Sequence, residues 1–170
     1  MPSPMTISIR IQPYLVDFMV SIYGPQPIEF PRKDNFSRIL HMFLDKEPAT
    51  SSNFKRGDTN LTITLPYYED KDVLYNFHLT AVQEKILISK IEDTFRLSFR
   101  DEMDQYSLLG LSRIDSIYLF MEKHSIREDS IDMLKKDYQR FRNMKYSKNF
   151  RKKQKISSVK SRFCPHRKPV

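Results

Sequence analysis

The sequence predicts an α+β protein, with a small strand-containing amino-terminal half and a predominantly helical carboxyl-terminal half. Two observations carry this. Eight of the ten prolines lie at or before Pro66, and Gly110 is the only glycine after Gly57, so turn-forming residues give way abruptly to helix-compatible ones. Apolar residues also alternate with period two around Ile9 and Ile63, then recur at spacings of three and four from Ile88 onward.

The elements follow in order. Thr6-Ile7-Ser8-Ile9-Arg10-Ile11 alternates polar and apolar side chains and reads as a half-buried strand. Pro13 can open a helix as a first-turn residue, because its missing N–H is not needed there, and Gly24 can close it. Ile28-Glu29-Phe30 lies between prolines and predicts a short strand at a sheet edge. Asp34 or Asn35 caps a helix through Ile39, Leu40, Phe43 and Leu44, with Pro48 as its limit. A polar loop is expected over residues 49–60, and Leu61-Thr62-Ile63-Thr64-Leu65 is a second alternating strand. After a turn region at 67–72, Thr80 and Gln83 have the spacing of a capping box. A long helix follows, carrying Ile88, Ile91, Phe95 and Phe99, which Gly110 stops. Ser112 caps a helix with Ile114, Ile117, Tyr118 and Met121 as its expected apolar stripe, ending near His124-Ser125. Asp129 or Ser130 starts the last helix, with Ile131, Leu134, Tyr138 and Phe141 in line. From Ser147 the periodicity is lost, and an extended or disordered tail is expected. The resulting division is a mixed segment over 1–66, a helical region over 67–146 and a basic tail over 147–170.

With 170 residues, 39% of them hydrophobic, the chain suffices for one domain with a core, or one domain and an appendage. Cys164 is the only cysteine and has no internal disulfide partner, which fits a reducing compartment. Met1-Pro2-Ser3-Pro4 lacks the charged and apolar regions of a signal peptide, and no apolar run approaches the roughly 20 residues of a membrane span. The expectation is a cytoplasmic, soluble protein with no membrane partner.

The net charge of +8 is concentrated at one end. All 21 acidic residues lie at or before Asp137, whereas residues 138–170 carry twelve basic residues and no acid. The preceding 137 residues hold the other 17 basic side chains and are net −4. Arg140, Arg142, Lys145, Lys148, Arg151, Lys152, Lys153, Lys155, Lys160 and Arg162 make up most of the basic stretch, with Phe150 and Phe163 interleaved. Such a segment gains affinity for a phosphate backbone by releasing condensed counterions, and its aromatics can stack on unpaired bases. An acidic protein partner and simple solubilising charge are the competing explanations.

The helices flanking Ser125-Ile126-Arg127-Glu128 also have the outline of a helix-turn-helix, with Ile126 as the core plug. On the last helix Lys135, Gln139 and Arg142 recur at four and three and share a face, with Lys136 and Arg140 on a neighbouring line. Gln139 and Arg142 have the hydrogen-bonding shape to read base edges. Against this stand the commonness of a solvated Lys/Arg face, the absence of a turn glycine, and Asp132 and Asp137, which repel phosphate.

Metal and catalytic motifs are absent from the pattern. Cys164-Pro165-His166 has no second ligand pair nearby, and His41, His78 and His124 are isolated in sequence. His124 is expected to end a helix favourably, facing its carbonyl terminus. Asp101, Glu102 and Asp104, with Glu92 and Asp93, read as surface acids of a long helix. There is no phosphate-binding glycine loop and no nucleophile motif, so neither enzyme activity nor a cofactor is expected.

The stretches Leu61-Thr62-Ile63-Thr64-Leu65-Pro66, Tyr75-Asn76-Phe77, Ile91 to Glu102, Ile114-Asp115-Ser116-Ile117-Tyr118-Leu119-Phe120-Met121 and Asp137-Tyr138-Gln139-Arg140-Phe141-Arg142 together resemble a group of small uncharacterised proteins from Bacteroidetes prophages and other mobile elements. The resemblance covers about residues 5–145 and leaves the basic tail beyond it. It implies a mobile-element context, in which DNA-binding regulators and accessory factors are common. The expected function is therefore non-enzymatic nucleic-acid binding, DNA rather than RNA. The alternative is a structural or assembly protein, for example of a phage particle, that grips a partner through its tail or associates through its amino-terminal half.

Overall fold

Strand β1 (Thr6–Ile11) pairs antiparallel with β3 (Thr59–Thr64), setting Ile7 opposite Ile63 and Ile9 opposite Leu61. Strand β2 (Ile28–Glu29) runs parallel to β3 on its other side, so the sheet order is β1-β3-β2 and the proline-flanked strand is at an edge, as expected. The computed structural model describes residues 5–44, 59–66, 68 and 78–144. The loop expected over 49–60, most of the 67–72 turn and the tail from 147 fall largely or wholly outside these residues. The chain divides into two compact units, Met1–Ser130 and Ile131–Val170.

In the first unit, the period-two pattern places Ile9, Ile11, Leu61 and Ile63 in the core and Ser8 and Arg10 in solvent. Helix α1 (Pro13–Tyr23) starts at Pro13, ends at Gly24 with φ +97°, and buries Leu15, Val16, Phe18 and Met19. Helix α2 (Asn35–Phe43) is capped by Asp34, whose side chain accepts from the Phe36 amide at 2.7 Å, and it ends at Leu44, four residues before Pro48. Helix α3 (Ala81–Leu108) begins with the expected capping box: Gln83 Oε1 accepts from the Thr80 amide at 2.8 Å, and Thr80 Oγ1 accepts from the Gln83 amide. The spacing of three and four buries Ile88, Ile91, Phe95 and Phe99.

Helix α4 (Arg113–Lys123) is capped by Ser112, again as expected, but its buried face differs from the expected stripe. Ile117 and Met121 are buried with Ser116 and Phe120, whereas Ile114 and Tyr118 remain about half exposed. The choice is made by the aromatic core. Phe120 packs at 4.9 Å from Phe99 and 5.9 Å from Phe95, and Phe95 in turn meets Phe18 edge-on at 5.1 Å, joining α4, α3 and α1.

Helices α3 and α4 end in the same backbone arrangement. After α3, the amides of Gly110 and Leu111 donate to the carbonyls of Ser107 and Tyr106, with Gly110 at φ +79°. After α4, Ser125 and Ile126 donate to Glu122 and Met121, with Ser125 at φ 49°. These are paired 5→2 and 6→1 bonds that satisfy helix-end carbonyls through one left-handed residue. Ile126 is then buried, a 3-10 turn follows at Glu128–Ser130, and in the second unit the backbone is helical over 131–144.

Candidate functional site

Helix 131–144 presents part of the basic end of the chain. Leu134 and Tyr138 are buried, Ile131 and Phe141 half-buried, so the expected stripe is present. Lys136, Gln139 and Arg140 are exposed, and Lys135 and Arg142 are half-buried. Lys135 and Gln139 each meet a neighbour within the helix. Lys135 Nζ lies 4.0 Å from Asp132, a spacing typical of a weak surface pair, and the Gln139 amide donates to Asn143 Oδ1 at 3.0 Å. Lys145, Lys148, Arg151, Lys152, Lys153, Lys155, Lys160 and Arg162 lie outside the described residues. The turn before this helix uses Ser125 where a glycine is often found, and the connection between the helical segments runs from His124 to Ser130, longer than the four residues expected.

A second constellation, entirely within the first unit, escaped the reading of the sequence. His124, the residue that closes α4, is buried, and so is Glu102 on α3. His124 Nε2 lies 3.0 Å from Glu102 Oε1, and Nδ1 lies 2.8 Å from Oγ of Ser21 on α1. The other carboxylate oxygen of Glu102 receives Lys123 Nζ at 3.0 Å and the Tyr106 hydroxyl at 3.1 Å. Glu102 is thus not a surface acid, and His124 does more than face its own helix end. Burial alone would push the Glu102 carboxyl up, but hydrogen bonds from His124 and Lys123, and their charges, outweigh it and hold it below its usual value. The same carboxylate and partial burial raise the Tyr106 phenol above its ordinary value, burial being the larger cause.

A neighbouring pair fixes the same elements. The Arg127 guanidinium meets Asp17 on α1 with Nε 3.2 Å from Oδ2 and a terminal nitrogen 3.2 Å from Oδ1, and the Arg127 amide donates to Oδ2 at 3.3 Å. A signal for the buried pair did exist. Glu102 falls three residues after Phe99, on the line of Ile91 and Phe95, and His124 falls four after Phe120. Their partnership was not legible, since residues 21, 102 and 124 meet only through the packing of three helices.

Among the described residues no group of three His, Cys, Asp or Glu side chains is placed to hold a metal ion. Among them, too, no helix is long and apolar enough to cross a membrane. No protein-family model, no curated protein and no solved structure matches the chain.

Proposed function

We propose that the protein is a non-enzymatic, cytoplasmic nucleic-acid-binding protein, a regulator or accessory factor of a mobile element, which grips phosphate through residues 138–170. The observation that carries this reading is the charge boundary after Asp137, with twelve basic residues and no acid beyond it. A block of unopposed charge does nothing for a core, but it neutralises a phosphate backbone and releases its counterions. DNA is favoured over RNA because the donor-bearing helix 131–144 suits the major groove of B-form DNA, whereas the A-form groove is too narrow for a helix. Lys148, Arg151, Lys152, Lys153 and Lys155 would supply affinity, and Gln139 and Arg142 any preference for sequence.

The test is fluorescence anisotropy of labelled duplex DNA, single-stranded DNA and duplex RNA across a salt series. The full chain is compared with a variant in which those five tail residues are replaced by glutamine. Affinity falling linearly on a logarithmic salt scale, with a shallower slope for the variant, supports the reading. Equal, salt-independent binding by both proteins would sink it. Alanine at Gln139 and Arg142 should relax any discrimination between duplex sequences, and unchanged discrimination rejects them as readers.

One observation favours the alternative of a structural or assembly protein. Leu108, Leu109, Leu111, Ile114, Tyr118 and Leu119 are exposed within twelve residues spanning the α3–α4 turn, from 39% to 89% of their surface. Apolar clusters of this kind mark protein contacts. Under that reading the chain associates with protein rather than DNA at physiological salt, and polar substitutions at Leu109 and Ile114 abolish the association.

A further inference from the structure

Helix α3 is apolar on two opposite sides. Leu87, Ile88, Ile91, Phe95, Phe99 and Met103 turn inward, whereas Val82, Ile86, Leu97 and Leu108 leave between 41% and 89% of their surface exposed. These four fall on one line that steps by four or three residues through Lys90, Asp93, Asp101 and Asp104, running nearly the whole length of the 28-residue helix, about 42 Å. A single exposed apolar side chain needs no explanation, but a row of them opposite the core marks a face that something covers.

The charges along the line select the partner. Lys90 and Asp101 are both exposed, and among the described residues neither has an ion-pair partner. A surface of one sign, nucleic acid included, meets one of the two as a like charge. The same line laid antiparallel on a second copy, about a twofold axis at the level of Phe95, meets no such conflict. Lys90 of each copy comes opposite Asp101 of the other, Val82 opposite Leu108, Ile86 opposite Gln105, and Leu97 opposite Thr94. In an isologous interface every such pair occurs twice. A parallel alignment instead sets Lys90 against Lys90 and Asp101 against Asp101, which repel. Asp93, the acid of the line nearest the axis, is held within its own helix by Arg96 at 4.0 Å.

We propose that the outward face of α3 is the contact surface of a twofold-symmetric dimer, in which the helices of two copies pack antiparallel with reciprocal Lys90–Asp101 pairs. This goes beyond nucleic-acid binding and does not depend on it. One helix face buries less than the roughly 800 Å² per partner of a standard interface, so the dimer is expected to dissociate on dilution. The test is sedimentation equilibrium of the full-length chain without nucleic acid, up to several hundred micromolar, where a monomer–dimer equilibrium is expected. Lys90→Glu and Asp101→Lys should each weaken it about tenfold, since each replaces two attractive pairs by two repulsive ones, and the double variant should restore it. Leu97→Glu, close to the axis, should leave the chain monomeric. All three positions are exposed, and far-UV circular dichroism verifies that the variants fold. A chain that stays monomeric throughout, a dimer that tolerates Leu97→Glu, or reversals that do not rescue each other overturn the proposal. Association of the basic tail of one copy with the acidic body of another gives no such rescue and counts against it.

Discussion

Ser125 and Gly110 occupy equivalent positions, each the single left-handed residue that ends a helix, yet only Ser125 carries an L side chain there. For a residue with a Cβ this conformation costs about 1–2 kcal/mol, and Ser125, at φ 49°, bears that cost. Ser125→Gly should therefore raise stability by about 0.5 kcal/mol, the relief being partly offset by the greater freedom of glycine in the unfolded chain. Gly110→Ala should lower it by about 1 kcal/mol, wholly through backbone strain, since a Cβ there meets nothing within 4 Å. Urea denaturation of both variants checks the pair. Glu102 supplies a pH-dependent contribution. Because its folded carboxyl is held below the ordinary value, the unfolded chain takes up that proton first as pH falls. The stabilisation is present above the ordinary glutamate value of about 4.3 and is lost as pH falls through it and then through the folded value. Glu102→Gln should cost about 2 kcal/mol at neutral pH and flatten the acid limb of stability as pH falls through about 4.3 and below it, as read from urea midpoints.

At the scale of elements, the caps are separable from the core. Thr80→Ala removes the Oγ that receives the Gln83 amide at the start of α3, and a cost of about 1 kcal/mol is expected. On α4 the prediction concerns which face is inward. Phe120→Ala, at a side chain fully buried against Phe99 and Phe95, should cost about 3–5 kcal/mol. Ile114→Ser and Tyr118→Ser, on the half-exposed face, should stay within about 0.5 kcal/mol. If Ile114→Ser proved as damaging as Phe120→Ala, the assignment of the buried face would be wrong. The spacing of α4 admits either stripe, because Leu111, Ile114 and Tyr118 continue one apolar line and Ile117, Phe120 and Met121 another. The partner helices select the second.

For the whole molecule, charge distribution is the property that bears on function. Residues 1–137 are net −4 and residues 138–170 are +12, so the ends differ in sign. Each phosphate contact contributes about 0.9 to the logarithmic salt slope on duplex DNA, so removing five cations at Lys148, Arg151, Lys152, Lys153 and Lys155 should reduce that slope by about 4.5 if all five engage phosphate. The anisotropy series already described measures it. A reduction near zero would assign the slope to Arg140, Arg142 and the remaining tail residues instead.

Period-two alternation in Thr6–Ile11 and Leu61–Leu65, the Pro13 start, the Thr80–Gln83 box and the Gly110 stop determined the elements and the α+β class from the sequence alone. They are local features, written within a few residues of where they act. The charge boundary at Asp137 is equally local and equally legible. The sequence alone did not decide that α4 turns Phe120 inward rather than Tyr118, nor that Glu102 and His124 pair beneath Ser21. Those facts depend on contacts between residues some 20 to 100 positions apart. A buried acid and a helix-ending histidine look like ordinary surface groups until three packed helices remove the water around them, and only then must each polar atom find its partner within the protein.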